Sequence, residues 1–69
     1  MHPIEAMRRM IESNFEEYVD EVRDTFLFQE GSNGIHSWKP EGRVIFDMVF
    51  DGNIFEAYMY YNIHFGEEE

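Results

Sequence analysis

The side chains in this sequence that could do chemistry are three histidines, three serines and an unusual number of carboxylates. His2, His36 and His64 could bind a metal or move a proton. None stands four residues from another, and no HExxH pair is present, so each reads as a surface or strand residue. Ser13, Ser32 and Ser37 lack the glycine-flanked elbow that exposes a nucleophile. Asp47, Asp51 and Asn53 in "DMVFDGN" lack the alternating ligands and closing glutamate of a calcium loop. Carboxylate pairs suit acid–base catalysis, but so short a chain offers little material for a deep pocket. No enzyme activity, metal or cofactor is therefore expected.

The acids have a pattern of their own. The stretch "ESNFEEYVDEVRD" carries Glu12, Glu16, Glu17, Asp20, Glu21 and Asp24 against a single arginine, Arg23. Ile4, Met7, Ile11, Phe15, Tyr18, Val22 and Phe26 recur at steps of three and four, which predicts one amphipathic helix through this region. Pro3 and Glu5 suit its first turn. On such a helix the acids would face away from the apolar stripe and form like-charge pairs at i, i+3 and i, i+4. Each pair costs roughly 0.2–0.5 kcal/mol. Acids near a helix C-terminus also oppose its dipole. An array kept at that cost suggests a binding role.

Beyond Asp24 the period changes. "TFLFQ" (Thr25–Gln29) and "IHSWK" (Ile35–Lys39) read as strands joined by the turn cluster "EGSNG" and closed by "PEG". "RVIFDMVF" and "IFEAYMYYNIHF" flank "DGN" and read as a hairpin centred on Asp51-Gly52 or on Gly52-Asn53, the second favoured because the first would set Asp47 opposite Glu56. Val44, Phe46, Met48, Phe50, Phe55, Ala57, Met59, Tyr61, Ile63 and Phe65 would then form the face packed on the helix. The opposite face would carry Arg43, Ile45, Asp47, Val49, Ile54, Glu56, Tyr58, Tyr60, Asn62 and His64, with Ile45, Val49, Ile54, Tyr58 and Tyr60 as its apolar members. That is too apolar for solvent and suits a dimer interface. The expected fold is α+β: one N-terminal helix on an antiparallel meander of about four strands, in two layers.

Composition sets the remaining bounds. The 69 residues suit one domain, 1–69. With 43% hydrophobic and 17% aromatic residues, the chain is no disordered acidic tail. Chains this short gain little from one core. Without cysteine there are no disulfides, so a homodimer is the expected support. "MHPIEAMRRM" lacks the apolar core of a signal peptide, and no apolar run approaches the ~20 residues of a membrane span. A cytoplasmic protein is expected. A net charge of −10 opposes direct contact with nucleic acid or anionic membranes, and it favours a basic partner. Trp38 and the aromatic runs could stack bases, but stacking surfaces of that kind line a basic groove. The tail "GEEE" reads as solvated.

Along an unbroken helix, residues 12–24 would span about 18 Å, or one net charge per roughly 3.6 Å. One strand of duplex DNA carries a phosphate every ~3.4 Å. In size, acidity, lack of cysteine and aromatic content, the chain resembles the small acidic DNA-mimic inhibitors, many of them phage-encoded. The resemblance is one of character over the whole chain, with no aligned motif. It implies a bacterial host cell and a DNA-binding target, for example a nucleoid protein, restriction enzyme, DNA glycosylase or CRISPR nuclease. A histone-like nucleoid protein such as HU is the first expectation, because it binds DNA through backbone charge. Glu5, Glu30, Asp47, Asp51, Glu56 and the tail would extend the surface. The alternative is an acidic adaptor or immunity-type protein that binds through the apolar sheet face.

Overall fold

The computed structural model describes residues 1–31 and 34–66. The element order is α1 (Pro3–Glu12), α2 (Val19–Phe26), β1 (Leu27–Glu30), β2 (Ile35–Trp38), α3 (Pro40–Phe50) and α4 (Ile54–His64). The α+β class holds, but the architecture differs from one helix on a four-stranded meander. Among the described residues there are four helices and a single two-stranded ribbon.

Helix α1 begins as its sequence suggests. Pro3 occupies the first turn, Glu5 faces the positive end of the dipole, and His2 lies extended just before it. The His2 Nδ1 accepts a hydrogen bond from the Ile4 N–H at 3.0 Å. The expected single helix stops at Glu12, for a reason visible in "SN". Ser13 closes α1, and Asn14 takes a left-handed φ of 61°. The Asn14 N–H then donates to the Ile11 carbonyl at 3.1 Å, and the Phe15 N–H to the Met10 carbonyl at 2.7 Å. These two bonds are the Schellman closure, with asparagine where glycine is commoner. Ser13 Oγ bonds the Met10 carbonyl and accepts from the Glu16 and Glu17 N–H groups, which turns the chain into α2.

The ribbon agrees with the expected first hairpin, shifted by two residues at its start. Leu27 pairs with Trp38 and Glu30 with Ile35 in antiparallel register. Thr25 and Phe26 belong to α2. Of the turn expected over Glu30–Gly34, Ser32 and Asn33 lie outside the described residues, as does the tail, Glu67–Glu69.

The second expected hairpin is a pair of helices. Pro40 of "PEG" opens α3 at its first turn, with Lys39 extended before it. Gly52 of "DGN" adopts φ 87° just after α3. Its N–H donates to the Val49 carbonyl and the Asn53 N–H to the Met48 carbonyl, again a Schellman closure. A glycine at positive φ serves a helix end as readily as a hairpin turn. The change of period from 2 to 3.6 rearranges the two expected faces. Ile45 and Val49, placed on an outer sheet face, are buried. Val44, Phe50, Phe55, Met59 and Ile63, placed in the core, are exposed.

The core lies among the four helices. Ile4, Ala6, Met7 and Met10 of α1 meet Val22 and Phe26 of α2, Ile45 and Val49 of α3, and Ala57 and Tyr61 of α4. Gly42 lets α3 close onto α2, because a Cβ there would lie 2.6 Å from the Phe26 carbonyl oxygen. Among the described residues, no helix is long and apolar enough to cross a membrane.

Candidate protein-binding surface

The six acids of the 12–24 stretch occupy a helix end, a loop and a second helix. Glu12 ends α1, Glu16 and Glu17 lie in the connecting loop, and Asp20, Glu21 and Asp24 lie on α2. All six are exposed. The straight 18 Å rod of charge therefore does not exist, and the close match to phosphate spacing goes with it.

The energetics change too. Of the like-charge pairs expected on a continuous helix, only Asp20/Asp24 and Glu21/Asp24 share a helix. Asp20 and Glu21 now sit in a first turn, where the dipole favours them. Much of the expected repulsion is thus relieved by the break at Ser13.

Basic residues neutralise only part of the array. Arg8 bonds Glu5 at 2.9 Å and reaches Glu12 at 3.3 Å, and these carboxylates raise its pKa, the hydrogen bond to Glu5 first. Arg23 bonds Asp20 at 2.7 Å. Arg43 reaches Asp47 at 3.3 Å, on α3. Lys39 lies over the rings of Phe28 and Phe65. Glu16, Glu17, Glu21 and Asp24 have no ion-pair partner among the described residues. At 100° per residue, Asp20, Asp24 and Glu21 cover about 100° of the outward side of α2, opposite Val22 and Phe26.

The loop between the helices is strained. Asn14, Phe15 and Tyr18 all have left-handed φ, at 61°, 66° and 64°. Such conformations cost of order 1–3 kcal/mol each in residues other than glycine, and they concentrate at functional sites. For a bulky aromatic such as Phe15 the conformation is rare. The result is an aromatic ring half in solvent, 50% exposed, with its centroid 6.2 Å from that of Phe46. Beside it lies an apolar cleft of about 140 Å³, lined by Met10, Phe15, Val19, Val22, Leu27 and Trp38, with Arg23 as its one charged wall. Phe15, expected on the buried stripe of a single helix, instead borders this cleft, which no sequence signal announces. Ser13-Asn14, a side-chain acceptor followed by a residue tolerant of left-handed φ, is the signal that marks the break.

Ile45, Val49, Ile54, Tyr58 and Tyr60, grouped above as a dimer face, do not share a face. Ile45 and Val49 are buried in α3, while Ile54, Tyr58 and Tyr60 are half-buried on α4. Among the described residues, no three of His, Cys, Asp or Glu gather to hold a metal ion. The histidines lie apart, at the start of α1, on β2 and at the end of α4.

No protein family, curated protein or solved structure gave a match to this chain.

Proposed function

We propose that the protein is an inhibitor that occupies the DNA-binding surface of a basic protein in the bacterial cytoplasm, through the acidic segment of its α1–α2 corner. The observation that carries this reading is the gathering on one corner of four exposed carboxylates, Glu16, Glu17, Glu21 and Asp24, that have no ion-pair partner among the described residues, in a chain of net charge −10. Glu12 and Asp20 extend the set, each sharing its charge with an arginine. Surfaces that bind phosphate backbones are rich in Lys and Arg and attract such a field. The acids follow a bent surface, so they act as a negative patch and not as a copy of one DNA strand. A histone-like nucleoid protein such as HU is the first target to try.

The test reverses charge where the fold tolerates it. Glu16 lies in the loop, and Asp24 lies in the last turn of α2, where a cation suits the dipole. The double variant E16K/D24K should keep its helical circular dichroism and bind at least about tenfold more weakly, a loss of roughly 1.4 kcal/mol. Unchanged binding sinks the charge-based reading.

A second reading, an adaptor that binds through apolar contact, draws on Phe15 and the cleft beside it. Truncating Phe15 to alanine would then cost more affinity than the charge reversals, and salt would matter little.

A further inference from the structure

The outward side of α4 carries a row of large apolar side chains. Phe55, Met59 and Ile63 stand at i, i+4 and i+8 and are 76%, 50% and 74% exposed. The inward side of the same helix gives Ala57 and Tyr61 to the core. A helix apolar on both sides normally has both sides covered. Single exposed apolar residues are ordinary, but a continuous row marks an interaction site.

We propose that this row is the contact between two copies of the chain, with the two α4 helices antiparallel about a two-fold axis at Met59. The first argument is charge. Each copy carries −10, so two copies can meet only where carboxylates are few. Helix α4 has one carboxylate, Glu56, and ends with His64. The second argument is that the helix is complementary to itself. Glu56 follows Phe55 by one residue and His64 follows Ile63 by one, so both flank the row on the same side. Tyr60 lies between them, and its ring is 4.2 Å from that of His64. A two-fold axis at Met59 brings Phe55 of one copy to Ile63 of the other. It also places Glu56 within about 3 Å, measured along the axis, of His64 of the second copy, at 1.5 Å rise per residue. The pairing occurs twice, as an isologous contact requires. The imidazole donates to the carboxylate in both pairs, which lie on the same flank of the apolar row, one towards each end of the contact. A basic partner has no such match here, because α4 offers it a single carboxylate, Glu56. This inference does not rest on the functional reading, and its failure leaves that reading standing.

Sedimentation of the full chain between about 1 μM and 1 mM reads the outcome directly. The wild type should be a dimer in the upper part of that range. M59E should be a monomer with unchanged circular dichroism. H64E sets carboxylate against carboxylate and should weaken the dimer at least tenfold. Adding E56K to H64E exchanges the two charges and should restore it. A wild-type monomer throughout leaves the row to some different protein and overturns the proposal. So does a dimer indifferent to M59E, or an exchange that restores nothing.

Discussion

Replacing Gly42 with alanine discriminates sharply between the expected and observed folds. In a turn "PEG" before a strand, the added methyl would meet solvent, and stability would hardly change. In the structure, Gly42 is buried in the first turn of α3 and faces the backbone of α2. Its Cβ would lie 2.6 Å from the Phe26 carbonyl oxygen and 3.0 Å from the Phe26 Cβ. That oxygen is held in place, since it accepts the Lys39 N–H at 2.9 Å. The clash is relieved only by moving α3 away from α2, and overpacking of this kind costs about 1–3 kcal/mol. Alanine recovers up to about 1 kcal/mol of helix propensity. The net expectation is a loss of about 1–2 kcal/mol. In a chain of this size each kcal/mol lowers Tm by about 4–8 °C. Thermal and urea unfolding followed at 222 nm measures it. A variant as stable as the wild type, or more stable, would refute the close approach of α3 to Phe26.

Two further expectations concern the ends of α1. Asn14 holds the left-handed corner after Ser13, so N14G should keep or raise stability while N14A loses about 1 kcal/mol, as urea midpoints would show. N14A with raised stability would mean that the helix runs on through the break. His2 caps α1 with an unprotonated Nδ1. The ring stays largely exposed beside Tyr58 and Tyr61, but partial desolvation lowers its pKa below 6.5, the N-terminal charge lowers it further, and Glu5 opposes. The unfolded chain therefore binds the proton more readily. Stability from this group is complete above about pH 6.5, falls as the pH drops below it, and levels off once the folded ring is protonated too. H2N keeps a capping oxygen and removes the titration, so comparing the two stability–pH curves isolates the effect. Curves that stay parallel through this range would contradict it.

The first hairpin and the start of α1 were legible because their signals were local and unambiguous. Pro3 and Glu5 mark a helix start, and a turn cluster between two short apolar runs marks a hairpin. The remainder turns on residues that carry two meanings. Gly52 between two apolar runs suits a hairpin turn and a helix end alike. The runs around it are rich in β-branched and aromatic residues, which favour strands, and they have apolar residues at both parities. Length and end signals carried the distinction. Each element has eleven residues, more than most strands, and α3 has proline at its start and glycine after its end. Asn14 is subtler, because an apolar stripe continues in register across it and only the tolerance of asparagine for left-handed φ betrays the break. The six acids are exposed, but their geometry follows from the helix boundaries. Their alignment into a rod was therefore lost with the single helix.

On the proposed function, the acidic corner binds where DNA would bind. The direct measurement is capture from bacterial lysate on the immobilised protein, eluted by a salt gradient with and without duplex DNA. The expected result is that basic DNA-binding proteins are retained, leave at moderate salt and are displaced by the duplex. A captured partner that resists salt and ignores DNA would contradict the claim and move the contact to Phe15 and its cleft.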